Sequence, residues 1–362
     1  MSELFENLNQ LKRNESKVAV ATLVNTRGTT PRKEGAKMLV GEGGRVLGSV
    51  TIGGCVDAQV IEESADVLDK NFPRLLELNL GDEEAWEIGL TCGGTIEVFV
   101  EPVTLDRSDD TTLAYYEKAR VHAERGGRAA IVTRLDPPNH GAKLLLLDRG
   151  EQEGTLGDAF LDQRFAEEAR EVLAAGRSRT LFLENVRAFA EAFAPPATLV
   201  VVGASHVAMP LTTLAKTLGF RTIVIDGRPR FATKERFPDV DDLRIGVPSE
   251  LVQQVPLIPT TALVLVAHDY KYDLPVLRHA LSTPVGYVGL LGSTRRGAAI
   301  LNLLREDGVS EEALSRVRVP IGLDLGAQSA PEIALSILAE ALATHRNATG
   351  MPISEKVRRG LK

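Results

Sequence analysis

The stretch Thr198–Asp226, TLVVVGASHVAMPLTTLAKTLGFRTIVID, decides the fold of the second half of this 362-residue chain. TLVVVG is a continuous apolar run, the pattern of a strand buried on both faces of a parallel sheet. A tight turn at Gly203 follows, then a helical pattern from about His206 to Leu218 that Gly219 stops. RTIVID reads as the next strand. Strand, glycine turn, helix and strand together open a Rossmann-like, doubly wound parallel sheet. Asp226 lies 23 residues past Gly203, about where a dinucleotide fold places its ribose-binding acid. The glycine fingerprint departs from G-x-G-x-x-G/A at one place. Gly203 and Ala208 fit, but Ser205 stands for the second glycine and narrows the backbone's approach to a pyrophosphate. NAD(P) or another nucleotide is therefore one reading of the turn. Arg228 and Arg230 read equally well as acceptors of an extra phosphate or as solvated loop charges.

Working outward, Pro195-Pro196 is a stiff connector, so the Rossmann-like domain is placed at 195–350, with 351–362 as a C-terminal tail. TALVLVAHD reads as a strand ending in His268 and Asp269. GYVGLLGSTRRGAAI reads as a strand, a Gly292-Ser293 turn and a helix for which Ser293 is the N-cap. Backbone N–H groups there, with Arg295 and Arg296, would form an anion pocket. The closing helix starts near Pro331 and runs to about Arg346. In such a sheet the C-terminal strand ends line one crevice, which should gather His206, Asp226, His268, Ser293 and Asp324 on one edge.

Residues 1–194 read as an α+β domain with an internal echo. GAKMLVGEGG at Gly35 returns as GAKLLLLDRG at Gly141, and EESADVL at Glu62 returns as EEAREVL at Glu167, offsets of 106 and 105. This suggests two related halves, about 18–103 and 128–193, each of strands, a glycine turn and a helix. Only the first half contains GSVTIGGCVDAQ and GLTCGG, which hold the chain's two cysteines, Cys55 and Cys92. A buried structural cysteine needs no glycine beside it, whereas a thiol approached by a ligand does. Gly53, Gly54, Gly93 and Gly94 flank the two sulfurs. Asp57 reads either as a base beside Cys55 or as a helix-start acid favoured by the dipole. Glu97 and Glu101 in EVFVEP read as strand residues facing solvent.

Composition bounds the function class. Hydrophobic residues make up 44% and charged residues 25%, the ordinary globular mixture. The net charge of −7 argues against a nucleic-acid or membrane-surface partner. No apolar run approaches membrane-spanning length, and the N-terminal Leu4, Phe5, Leu8 and Leu11 sit at helical spacing rather than in a signal peptide. A cytoplasmic protein is expected, in which two cysteines form no disulfide scaffold.

Together, GSVTIGGCVDAQV, IGLTCGGTIEVFVEP, VVVGASHVAMPLTTLAKTLGFRTIVIDGRP, VLVAHDYKYDLPVL, YVGLLGSTRR and VPIGLDLGAQSAPEIALSILAE resemble the XdhC/CoxI family of accessory proteins for molybdenum hydroxylases. The resemblance implies binding of the molybdenum cofactor (molybdopterin), help with its sulfuration by a cysteine desulfurase, and delivery to an apo molybdenum hydroxylase. It also implies a homodimer. Cys55 and Cys92 match the motif cysteines and are the candidate molybdenum contacts. Asp57 stands where the family commonly has Glu, and Ser205 where it commonly has Gly. On this reading Gly203, Ser205, His206, Asp226, Arg228, His268, Gly292, Ser293 and Arg295 are candidate cofactor-binding residues. Two other classes fit the same residues: an NAD(P)-dependent oxidoreductase, and a binding module whose two thiols sense redox state.

Overall fold

The computed structural model describes residues 2–12, 14–28, 32–51, 56–80, 94–105, 110–267 and 269–360. The chain divides into two compact units, Met1–Pro195 and Pro196–Lys362.

The first unit opens with helix α1 (Ser2–Leu11), followed by two sheets of one design. Strands β1 (Lys17–Gly28), β2 (Lys37–Gly41), β3 (Val46–Gly48), β4 (Arg74–Asn79) and β5 (Gly94–Thr104) pair antiparallel in the order β3-β2-β1-β5-β4, with helix α2 (Asp57–Lys70) between β3 and β4. Helix α3 (Thr111–Glu124) leads to the second sheet. There β6 (Ala129–Arg134), β7 (Lys143–Leu147), β8 (Gln152–Gly154), β9 (Arg179–Leu183) and β10 (Val186–Phe193) repeat that order as β8-β7-β6-β10-β9, with helix α4 (Ala159–Ala175) inserted at the same place. The register repeats too. Thr22 faces Lys37 as Thr133 faces Lys143, and Val20 faces Glu101 as Ile131 faces Glu191. Gly35 and Gly141, which precede β2 and β7, both hold a positive φ, of 93° and 87°.

Each half buries its own helix. Val60, Ser64 and Val67 of α2 recur every three to four residues and lie buried over the first sheet. Phe165, Ala169 and Val172 of α4 do the same over the second. Asp158 caps α4, its side chain accepting from the Phe160 and Leu161 N–H groups, and Gly176 closes it in the left-handed region. A third core joins the halves, where Leu4, Leu8 and Leu11 of α1 meet Val18, Val20, Ile131 and Leu145.

The second unit is the doubly wound sheet expected from TLVVVG. Strands β11 (Thr198–Val202), β12 (Arg221–Asp226), β13 (Asp242–Ile245), β14 (Thr261–Leu265), β15 (Tyr287–Leu290) and β16 (Val317–Arg318) pair parallel in the order β13-β12-β11-β14-β15-β16. The continuous apolar run has its physical reason in the two layers of helices. Val200 and Val202 face one layer, with Val276 and Leu277 of α6 (Tyr270–Leu281) and Ile300 of α7 (Thr294–Glu306). Leu199 and Val201 face the other, with Leu211 of α5 (Ala208–Thr217) and Ile337 of α8 (Ala330–His345). A short helix α9 (Ile353–Arg358) lies within the segment read as a tail.

Ser329 begins α8 with a reciprocal cap: its Oγ accepts from the Glu332 N–H, and the Glu332 carboxylate accepts from the Ser329 N–H at 2.9 Å. Ser329→Ala removes half of this box and should cost about 1 kcal/mol of stability, read in urea denaturation. An unchanged midpoint would show that the cap is redundant.

Candidate functional site

Because β11, β12, β14 and β15 run parallel, their C-terminal ends meet along one edge of the sheet. That edge carries Gly203, Ser205 and His206 after β11, Asp226 and Arg228 at the end of β12, and Gly292, Ser293 and Arg295 after β15. The sheet order reverses between β11 and β14, the position at which open α/β sheets form a crevice. A small cavity of about 60 Å³ lies there, lined among the described residues by Gly203, Asp226, Arg228, Ala267, Asp269 and Tyr272. Gly203 is required by packing as well as by any ligand: its φ is +109°, and a Cβ would come within 2.6 Å of the Ala267 nitrogen. β14 ends at Leu265, short of the expected Asp269, whose side chain instead caps α6 by accepting from the Lys271 N–H. His268 lies outside the described residues.

The expected ribose acid is engaged by the protein itself. Asp226 is 3% exposed; its Oδ2 accepts from the Ala204 N–H at 2.5 Å and from Arg228 Nη2 at 2.7 Å. Its Oδ1 accepts from the Arg228 backbone N–H at 2.7 Å and from Arg228 Nε at 2.9 Å. The carboxylate thus accepts from the turn N–H of Ala204, and Arg228 covers it. Both Asp226 oxygens are engaged within the chain, and the NAD(P) reading gains no support. Arg228 is half exposed, and its guanidinium also lies 4.4 Å over the exposed Phe231 ring. Ser205 Oγ is buried without a hydrogen-bond partner.

Ser293 caps α7 as expected, its Oγ accepting from the Arg296 N–H. The two arginines behind it differ. Arg295 is exposed, whereas Arg296 Nη2 donates to Asp273 Oδ2 at 2.6 Å and its guanidinium lies 4.6 Å from the Tyr270 ring centroid. Asp273, which the sequence pattern did not single out, is fully buried on α6 with no hydrogen bond to its Oδ1.

Asp226 at the crevice and the buried Asp273 on α6 are shifted in opposite directions. For Asp226, burial pushes the pKa up, but hydrogen bonds from Arg228 and from the Ala204 and Arg228 N–H groups outweigh it, and the net value lies below the usual range. Its contribution to stability is present above the ordinary aspartate value and is lost as pH falls through the lowered folded value. For Asp273, burial wins over the Arg296 guanidinium and leaves the pKa raised. That contribution is fully present below the ordinary value and is lost as pH rises through the raised one. Carboxyl ¹³C titration should therefore find Asp226 titrating below Asp273. The reverse order would contradict the geometry of the crevice.

In the first unit, Gly53, Gly54, Cys55, Cys92 and Gly93 lie outside the described residues, as does Trp86. The neighbours of the cysteine turns are placed. Asp57 is the first residue of α2, and its buried Oδ1 has no hydrogen-bond partner. Gly94 begins β5 opposite Gly28, where a Cβ would come within 2.4 Å of the Arg27 carbonyl oxygen, so close strand pairing itself demands a glycine.

Glu97 and Glu101 overturn the solvent-facing expectation: they are 8% and 5% exposed. Glu97 accepts from Asn25 Nδ2 and Arg187 Nη1, each at 2.7 Å. Glu101 pairs with Lys143 at 2.7 Å, and reciprocally Lys37 of the first half pairs with Glu191 of the second at 3.0 Å. Alternation along β5 places these acids on one face, but the sequence does not reveal that a second sheet covers that face.

The fold and the crevice define a two-unit α/β protein whose second unit is a Rossmann domain with an engaged carboxylate at the end of its second strand. Residues 199–341 match the XdhC Rossmann domain, and residues 11–79 and 122–184 match the XdhC and CoxI family. The chain belongs to the XdhC and CoxI family. It is 28% identical to a probable xanthine dehydrogenase subunit of Bacillus subtilis, over 96% of this chain and 98% of that one. It is also 28% identical to the molybdenum cofactor insertion chaperone PaoD of Escherichia coli, over 89% of this chain and 81% of that one. A crystal structure described as a xanthine dehydrogenase from Bacillus halodurans superposes with a TM-score of 0.76 at 26% identity, covering 94% of this chain and 95% of that one. No helix among the described residues is long and apolar enough to cross a membrane.

Proposed function

We propose that this protein is an accessory factor that binds the molybdenum cofactor, supports its sulfuration and delivers it to an apo molybdenum hydroxylase. Similarity over nearly the whole chain to a molybdenum cofactor insertion chaperone supports the reading. The single structural observation that carries it is the buried, unpartnered Oδ1 of Asp57, two residues past Cys55. A buried carboxylate oxygen without a donor costs about 1–3 kcal/mol, a penalty that a bound group offering a hydrogen can relieve. The donor set also suits the metal, since molybdenum accepts soft sulfur ligands and the cysteines are flanked by glycines that leave the backbone uncrowded.

When bound, the cofactor supplies the metal centre on which the client hydroxylase acts. The chain's own residues hold and orient it. Cys55 and Cys92 offer thiolates, and Asp57 accepts a hydrogen bond at the head of α2. A cysteine desulfurase is the sulfur donor: its persulfide passes the outer sulfur to the Cys55 thiolate and leaves as a thiolate, so the exchange needs no oxidant. Independently of that site, the turn at Gly292 and Ser293 in the second unit, with Arg295, offers N–H groups and a cation to an anionic group. A homodimer is the working assembly.

The test is reconstitution. The purified chain, loaded with molybdenum cofactor, is mixed with an apo-hydroxylase, and hydroxylase activity is compared with that given by free cofactor alone. Activation no faster than with free cofactor would refute the carrier reading. Turnover of purines with NAD(P) by the chain alone would favour an oxidoreductase instead.

A further inference from the structure

Two buried lysine–glutamate pairs bridge the halves of the first unit, each taking its lysine from one half and its glutamate from the other, and their surroundings differ. Lys143 and Glu101 have side chains 2% and 6% exposed. Pro73 packs against Gly141, two residues before Lys143, its Cγ 3.1 Å from the place of a Cβ there, and His140 stands beside it. The His140 Nε2 lies 3.0 Å from the Pro73 carbonyl oxygen, and its ring meets Phe72 edge-on at 4.5 Å. In the repeat register the counterparts are Lys37, Glu191, Gly35, Ser178 for Pro73, and Glu34 for His140. With the smaller Ser178 there, the site is not filled. A cavity of about 230 Å³ opens over the pair, lined by Arg32, Glu34, Lys37, Ser178, Glu191 and Phe193 among others.

The floor of this cavity is built to accept hydrogen bonds. Lys37 Nζ is fully used, donating to Thr22 Oγ1 at 2.8 Å, Tyr116 Oη at 3.0 Å and Glu191 Oε2 at 3.0 Å. Tyr116 Oη donates to the same Glu191 oxygen at 3.3 Å, and burial followed by the Glu191 and Glu101 charges holds that phenol well above its ordinary pKa, so it remains a donor. The other oxygen, Glu191 Oε1, has no partner among the described residues. Ser178 Oγ accepts from the Ala192 N–H at 3.1 Å and keeps its own hydrogen to donate. A carboxylate oxygen beside a hydroxyl donor, above an apolar wall from Leu39 and Phe193, matches a small planar heterocycle whose edge alternates N–H donors with a ring acceptor.

Resting on the cofactor reading above, we infer that this cavity between the two halves binds the 2-amino-4-oxo-pyrimidine edge of a pterin, with Glu191 accepting from its amino group and Ser178 donating to the ring. One copy of the repeated sheet has kept the opening, and the other is plugged by Pro73 and His140. Neither residue type at this position follows from the fold, because both halves share strand order and register.

The test titrates the full-length chain by calorimetry with pterin and with lumazine, which has an oxygen in place of the amino group. Pterin should bind saturably and about 10- to 100-fold more tightly, the ratio expected when a charged acceptor loses its donor. Glu191→Gln should narrow that ratio, since an amide can donate to the lumazine oxygen. Ser178→Pro with Glu34→His copies the plugged half and should lower pterin affinity at least tenfold while the thermal transition stays cooperative. Equal affinity for the two pteridines, absent pterin binding, or full pterin binding by the plugged variant would each overturn the inference. The outcomes separate it from the carrier reading. Intact cofactor carried equally well by the plugged variant ends the cavity proposal alone, whereas pterin selectivity without cofactor transfer ends the carrier reading alone.

Discussion

Lys143→Met should destabilise the first unit by about 3–5 kcal/mol, because it leaves the Glu101 carboxylate buried without its partner. Both side chains are nearly inaccessible, at 2% and 6% exposure, so water cannot replace the lost ammonium. Thr133 Oγ1 also loses the Lys143 donor it accepts from at 3.0 Å. For a unit of this size the loss corresponds to a fall in melting temperature of roughly 10 °C. The double variant Lys143→Met with Glu101→Leu should recover most of it, since replacing a buried ion pair by apolar groups of similar volume is often neutral. A double-mutant cycle in urea measures the coupling directly. A single variant within about 1 kcal/mol of the parent would mean that the pair is hydrated in solution. Lys37→Met should cost less, because its pair opens onto a cavity that water can enter.

The second large effect is functional. Cys55→Ala should reduce transfer of molybdenum cofactor to an apo-hydroxylase at least about tenfold, with the fold unchanged by circular dichroism. Even outer partners of metal ligands are worth about 10- to 100-fold, and a sulfur donor itself should not be worth less. Cys92→Ala should act in the same direction. Asp57→Asn should be milder, because the amide keeps an acceptor oxygen at the head of α2. Transfer at the parental rate by both cysteine variants would remove the sulfur role and leave Gly53, Gly54 and Gly93 without the reason assigned to them.

The second unit was almost wholly legible. An unbroken apolar strand needs burial on both faces, and the two helix layers around Val200 and Leu199 supply it. The cap residues Ser293 and Ser329 were equally local signals, since each hydrogen bond spans three residues. The site was less legible because its chemistry depends on which partners fold onto it. Asp226 stands at the distance a ribose acid would, yet Arg228 turns back onto it, and only the backbone path after β12 decides that. Asp273 gave no signal because nothing in YKYDLPVL distinguishes a buried acid from a solvated one on a helix.

The sequence by itself determined the mixed α/β class and the parallel, Rossmann-like character of the second sheet, because these follow from apolar periodicity, glycine positions and local caps. Tertiary structure alone decided which of the repeated sites is open and which is sealed, and that Glu97 and Glu101 face a partner sheet rather than water. Burial and ion pairing of those acids arise between residues some forty to ninety positions apart, Glu97 with Arg187 and Glu101 with Lys143, and no local pattern encodes a contact at that range.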